Sequence, residues 1–232
     1  MIAWTTVHGA VIAVIAGGAL GCGRLGFDPH SDAGDTSDAA DAPLQFTRCS
    51  EESFETGSSD RWSVVNPAWA VTPGNGFGGG AGFSAAPGSE HTVANLDLQG
   101  IRAARIELEF RIEEPIAGDF YLQFMSPGWT AYDDLQYSVG IFPRGGDNTE
   151  DLISIETPTT SIPRASRPSS ALPNIWHHLA VTLGADRSIY VELDRVAYLT
   201  TGPDTRVPGP FDVLVGFWNE GSIDTFVVEC AR

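Results

Sequence analysis

Ala104-Arg-Ile-Glu-Leu-Glu-Phe-Arg-Ile112 alternates without a break: Ile106, Leu108, Phe110 and Ile112 share one parity, and Arg105, Glu107, Glu109 and Arg111 share the other. Successive side chains on a strand point to opposite faces, so this stretch predicts a strand with one buried and one wet face. Shorter stretches of the same period lie on both sides of it. They are Trp62–Val65, Ala68–Val71, His91–Leu96, Phe120–Met125, Leu135–Phe142, Leu152–Glu156, Trp176–Leu183, Ser188–Leu193, Val196–Thr200, Phe211–Trp218 and Ile223–Glu229. Clusters of Gly, Pro, Asn and Asp separate them, and from Cys49 onward no run carries a helical period. The 26 glycines and 15 prolines in 232 residues agree with many turns. An open sheet of so many short strands would curl or split, so the expected fold is an all-β, antiparallel two-sheet sandwich.

Composition excludes one class of partner. The formal net charge is −17, and all 13 basic residues are arginine. Such a chain repels a phosphate backbone, which argues against nucleic acid.

The first 47 residues read differently. Residues 10–20, Ala-Val-Ile-Ala-Val-Ile-Ala-Gly-Gly-Ala-Leu, are apolar but too short for the ~20 residues a membrane-spanning helix needs, and they lie where a secretory signal has its apolar core. The run ends in Ala19-Leu20-Gly21-Cys22, which resembles the lipobox of bacterial lipoproteins. That resemblance implies a signal peptide over residues 1–21 and lipidation of Cys22. It departs from the usual pattern at Ala19, and no Arg or Lys precedes the apolar run. Beyond Cys22, Asp32, Asp35, Asp38 and Asp41 recur among small polar residues. Like charges with little apolar surface predict an extended acidic tether over residues 22–47, leaving 48–232 as the folded domain. The expected address is an exported lipoprotein at the outer membrane or cell surface.

Once Cys22 is assigned, Cys49 and Cys230 remain, at opposite ends of the expected domain. Export to an oxidising compartment predicts a disulfide between them.

Asn174-Ile-Trp-His-His-Leu-Ala-Val-Thr-Leu with the following Ile189–Val196 hairpin resembles a strand pair of laminin-G-like domains in the concanavalin A-like superfamily. Phe211–Glu229 is similar to that family's closing strands, and Ser53-Phe-Glu-Thr-Gly57 with Trp62 to its opening. The resemblance covers about residues 49–232 and implies a jelly roll. Arg195 stands where the family's turn has Gly, and a Pro/Ser-rich insertion over Thr157–Pro173 reads as a long surface loop.

Candidate chemistry follows from these placements. Sugar binding needs aromatic faces beside hydrogen-bonding groups. Trp129, Tyr132, Asp133 and Asp134 lie together in one loop, and Trp218 with Asn219 ends a strand; packing is the competing reading for each Trp, above all for Trp218. Related carbohydrate-binding modules imply a structural calcium ion between an acid of the opening strand, Glu52 or Glu55, and Asp224 of the closing one, with Asp147–Asp151 as a second acidic candidate. Glucanases of this architecture place their catalytic acids on alternate residues of one strand, and Glu107, Glu109 and Glu113 share that parity. Interleaved Arg105 and Arg111 would hold them ionised, the wrong state for a general acid. His177 and His178 are adjacent, so they face opposite sides of a strand and do not form a metal pair. The expectation is a non-catalytic carbohydrate-binding or adhesion module on a lipid anchor, with a polysaccharide or cell-surface glycan as partner. An envelope protein as partner and a glycan-cleaving hydrolase are the alternatives.

Overall fold

The computed structural model describes residues 44–64, 69–86, 92–113, 118–125, 136–143, 152–157, 160–204, 206 and 209–231. Among them, the one helical element is a 3-10 turn, Phe77–Gly79. The strands are β1 (Phe46–Glu52), β2 (Trp62–Val64), β3 (Trp69–Thr72), β4 (Gly82–Ala85), β5 (Thr92–Ile101), β6 (Ala104–Ile112), β7 (Asp119–Met125) and β8 (Gln136–Ile141). There follow β9 (Leu152–Thr157), β10 (Thr160–Pro168), β11 (His177–Leu183), β12 (Ile189–Leu193), β13 (Val196–Thr200), β14 (Phe211–Trp218) and β15 (Gly221–Ala231). All belong to one compact unit, Pro43–Arg232.

Two antiparallel sheets form from them. An eight-stranded sheet runs β13-β12-β11-β6-β15-β4-β3, with β1 pairing the far half of β15; a seven-stranded sheet runs β10-β9-β8-β7-β14-β5-β2. The predicted fold is the observed one. Strand β6 spans Ala104–Ile112 as read, its inward residues fully buried and its charged residues only partly exposed. Phe110 of one sheet stacks on Phe120 of the other, ring centroids 4.6 Å apart, and Phe120 meets the edge of Phe217 at 5.3 Å. Phe54, Trp62, Trp69, Phe83 and Phe226 fill one end of the same interior. Burial of this many large side chains is the main stabilising term of such a sandwich.

Cys49 and Cys230 are disulfide-bonded, with Cα atoms 5.8 Å apart. Strand β1 pairs with the end of β15 with a register shift between Arg48 and Ser50. Cys49 occupies that bulge, which re-aims its side chain relative to a regular strand.

Two expectations needed revision, and one strand was not anticipated. The insertion over Thr157–Pro173 is not wholly a loop, because Thr160–Pro168 forms β10, paired with β9 at the edge of its sheet. Proline is tolerated there, since an edge strand leaves half its backbone groups unpaired. Strand β4 carried no alternation that distinguished it from the glycine-rich segment before it. Strand β1 starts at Phe46, ahead of the boundary at 48.

Candidate functional site

The strand β7 sequence, Asp-Phe-Tyr-Leu-Gln-Phe-Met, is covered on both faces. Phe120, Leu122 and Phe124 point into the core. Asp119, Tyr121, Gln123 and Met125 therefore lie on the outer face of the seven-stranded sheet, where water usually reaches. Gln123 is nevertheless only 2% exposed and Asp119 5%. Met125 and Leu214 of β14 form a small buried cluster separate from the main core. A shielded outer face carrying polar side chains strengthens any hydrogen bond made there.

The register aligns that face in rows. Trp218 of β14 sits opposite Asp119; Tyr121 lies between Gly216 and Gly140; Gln123 lies between Leu214 and Ser138. Tyr121 thus has a glycine directly opposite it on each neighbouring strand. Tyr121 donates its hydroxyl proton to Asp119 Oδ2 at 3.0 Å, and its ring meets Phe142 edge-on at 6.3 Å. Trp218 is half-buried and outward, so of its two readings core packing is corrected: β14 turns Phe217 inward and Trp218 outward. Asn219 follows with φ 75°, a left-handed turn conformation that asparagine tolerates well. Phe142, Tyr121 and Trp218, with Asp119 and Asn219, thus gather aromatic faces and polar groups at one end of the sheet. Gln123 Nε2, one strand step further along, is buried without a hydrogen-bond partner.

The glucanase-like parity of β6 has a different use. Glu107 pairs with Arg105 at 2.6 Å, Glu113 with Arg111 at 2.6 Å, and Glu109 with His178 Nδ1 at 3.1 Å. Arg105 also bridges to Glu192 of β12 at 3.0 Å. The row is a cross-strand charge ladder on the eight-stranded sheet. Burial tends to raise the Glu113 pKa, but the Arg111 guanidinium, with Ser222 and Asn75, outweighs it and holds the carboxyl below its usual range.

The calcium candidates are held by amides. Asp224, 3% exposed, accepts from Phe77 N–H at 2.8 Å and Thr225 N–H at 2.6 Å. Glu55 accepts from Ala81 N–H at 3.2 Å, and Glu52 from Phe54 N–H at 3.4 Å. Asp224 and Glu55 thereby clamp both ends of the loop around the Phe77–Gly79 turn. Gly76 is required in that loop, because a Cβ there would lie 2.5 Å from the Ala81 carbonyl oxygen. Burial, with the charges of Glu55 and Glu109, raises the Asp224 pKa despite the two amide bonds. Among the described residues no three His, Cys, Asp or Glu converge to hold a metal ion. Both oxygens of Asp224 and Oε1 of Glu55 and of Glu52 bind backbone amides, and with no third acid among the described residues converging on them these carboxylates serve the loop, so calcium would need further oxygen ligands.

The histidines face opposite sides as expected. His177 is 6% exposed, its Nδ1 2.9 Å from Asp194 Oδ2 and its Nε2 2.9 Å from the Leu172 amide nitrogen. Its Nε2 also lies 3.1 Å from the Leu172 carbonyl oxygen, so the ring is held from both sides. His178 lies on the outer face against Glu109.

No known protein-family pattern matches the sequence, and no curated protein matches it. Solved structures do. The carbohydrate-binding module CBM66 of Bacillus subtilis superposes with a TM-score of 0.54 at 17% identity, covering 73% of this chain and 95% of that one. The exoplasmic/lumenal domain of VIP36, in a Ca2+/Man3GlcNAc-bound form, gives 0.55 at 10% identity, over 79% of this chain and 89% of that one. The Crh5 transglycosylase in complex with NAG gives 0.56 at 14% identity, over 82% and 88%. The chain has the lectin-like sandwich fold.

Within this lectin-like sandwich, Trp129, Tyr132, Asp133 and Asp134 belong to the connection between β7 and β8, which lies outside the described residues. Cys22, the expected tether as far as Pro43 and the acidic stretch Asp147–Asp151 also lie outside the described residues. Asp119, Tyr121, Gln123 and Phe142 were missed as site residues. Their signal was present, since Asp119, Tyr121 and Gln123 occupy the alternate positions of a strand whose other positions are Phe, Leu and Phe. Reading both parities of β7, rather than its apolar one alone, would have found them.

Proposed function

We propose that this chain is a non-catalytic glycan-binding module of laminin-G-like architecture, displayed at the bacterial cell surface by a lipid on Cys22. The observation that carries the reading is the row of Trp218, Tyr121 and Phe142 beside Asp119 on the outer face of the seven-stranded sheet. Aromatic faces stack on the apolar faces of pyranose rings, and Asp119 holds the Tyr121 hydroxyl among them. The names of the similar structures, a carbohydrate-binding module and a glycan-bound lumenal domain, agree with it. Non-catalytic status is supported by Glu113, whose carboxyl the Arg111 guanidinium holds below its usual range, and by the ion pair of Glu107 with Arg105.

Binding of the mature chain to an array of polysaccharides and cell-wall glycans tests the reading. The expected result is retention of at least one glycan by the wild type and loss of about tenfold or more in affinity on Trp218→Ala, the effect of removing one stacking ring with its contacts. Retention unaffected by Trp218→Ala would move the site. Absence of binding to every glycan would favour an envelope protein as partner. Release of reducing ends on incubation would make the chain an enzyme. Anchoring has its own test, since Cys22→Ser should abolish incorporation of labelled palmitate and shift the chain from the membrane to the soluble fraction.

A further inference from the structure

On the eight-stranded sheet, remote in sequence from the residues assigned above, Phe77, Glu109, Trp176, His178, Asp194 and Arg195 line a groove of 280 Å³. Its aromatic wall is built. The Arg111 guanidinium carbon lies 5.1 Å from the Trp176 ring centroid, and Phe77 meets the same ring edge-on at 6.1 Å while remaining 52% exposed. The other lining groups come from neighbouring strands: Glu109 and His178 are register partners on β6 and β11. The rim is the two-residue turn Asp194-Arg195 between β12 and β13.

That turn is unusual. Both residues have positive φ, 52° and 63°, the pattern of a hairpin turn that favours Asn-Gly or Asp-Gly. Arginine at the second position carries a left-handed strain that glycine would not. Among the described residues no contact holds its side chain in compensation. Asp194, by contrast, is fixed: Oδ2 lies against His177 Nδ1 at 2.9 Å, and Oδ1 accepts from His178 N–H at 3.1 Å, with its side chain still 48% exposed. A strained residue retained at the mouth of a groove points to a use for its side chain there.

The chemistry narrows the ligand. Adjacent Asp194 and Arg195 present an acceptor and a donor, a match to the donor and acceptor of a vicinal diol. His178, whose Nδ1 lies 3.1 Å from Glu109 Oε1, adds a further polar ring nitrogen. Trp176 and Phe77 offer an apolar wall. The volume is just below that of sites for drug-sized molecules, which suits one sugar residue rather than an extended chain. Two carboxylates in the lining, Glu109 and Asp194, disfavour an acidic sugar.

We propose that this groove is a second saccharide site, taking a single uncharged sugar residue with Trp176 and Phe77 as its apolar wall and its hydroxyls read by Asp194, Arg195 and His178. The ligand class rests on the reading of the chain as a glycan-binding module, but the residues are separate from those of the seven-stranded sheet. A module with sites on both sheets would bridge two glycan chains.

Titration calorimetry of the mature chain with glucose, galactose, mannose, xylose and N-acetylglucosamine, and with glucuronate as the acidic counterpart, tests it. The expected result is binding of at least one neutral sugar, weakened about tenfold or more by Trp176→Ala and by Arg195→Gly, unchanged in Trp218→Ala, with glucuronate weaker by a similar factor. Arg195→Gly should also raise the melting temperature, because glycine fits the turn, so its lost affinity is separable from unfolding. Binding that survives both groove variants but fails in Trp218→Ala overturns the second site and leaves the module intact. Binding lost only in the groove variants upholds this site and removes the other. No binding of any of these sugars by the wild type overturns the groove site, while the polysaccharide array decides the other reading separately.

Discussion

Asn75 Nδ2 donates to Ser222 Oγ at 2.8 Å, tying the glycine-rich loop between β3 and β4 to the start of β15, 147 residues further along the chain. The same amide nitrogen reaches Ser84 Oγ at 2.8 Å, and its oxygen accepts from Arg111. Ser222 is fully buried. One side chain thus links the loop, β4, β6 and β15, and it does so on the outer face, where no apolar packing substitutes for it.

Asn75→Ala should therefore cost about 1–3 kcal/mol, since it strips a partner from the buried Ser222 hydroxyl, from Ser84 and from a guanidinium at once. The urea midpoint should fall with the slope unchanged, showing lost stability without a looser native state. An unchanged midpoint would mean that the network merely decorates the loop.

Glu113 supplies a pH dependence of known sign. Its folded-state pKa lies below the ordinary glutamate value of 4.5 because of Arg111, Ser222 and Asn75. The stability it contributes is present above that value and is lost as pH falls toward the depressed one. Asp224 acts oppositely: its folded pKa is raised, so stability declines as pH rises from 3.8 toward the raised value and then levels. Glu113→Gln should cost about 1 kcal/mol at neutral pH, the low end for a charge-assisted bond because water reaches the pair. The difference from wild type should shrink below about pH 4.5. Melting curves from pH 3 to 8 measure it, and a difference constant across that range would detach the effect from ionisation.

How far such features could be read from the sequence depended on whether they were local. Strand β6 declared itself because alternation needs no partner. The disulfide was reachable because, with Cys22 set aside, two cysteines leave one pairing. Trp218 was ambiguous because a terminal strand residue shows its parity only when Phe217 beside it is known to be core. The Asn75 network was beyond reach: nothing local joins Asn75 to Ser84, Arg111 and Ser222 until the sheet order sets β4, β15 and β6 side by side. The same holds for Trp176 and Phe77, which meet through a loop whose shape depends on glycines and on two distant carboxylates.

Calcium should leave the melting temperature where it is. Any ligand that binds only the native state raises stability by mass action, so an ion held by Glu55 and Asp224 would show as a dependence on its concentration. Those oxygens are instead bonded to Ala81, Phe77 and Thr225 amides. Melting in EDTA and in millimolar calcium should agree to within about a degree. A rise of several degrees with calcium would show that the amides yield their places to the ion.

Reduction of Cys49–Cys230 should destabilise the domain strongly. The two cysteines are 181 residues apart, and in the chain-entropy model opening so long a loop costs about 5 kcal/mol. The observed loss should be smaller than that, because β1 keeps its backbone pairing with β15 and a compact unfolded chain already holds its ends closer. Cys49 is exposed at its bulge, so dithiothreitol should reach the bond without prior unfolding. The expected sequence is a lowered melting temperature on reduction, matched by the double variant Cys49→Ser, Cys230→Ser, with proteolysis near β1 preceding cleavage elsewhere. If reduction left both melting and proteolysis unchanged, the pairing of β1 with β15 alone would be holding the end of the sandwich, and the disulfide would serve export or handling rather than the folded state.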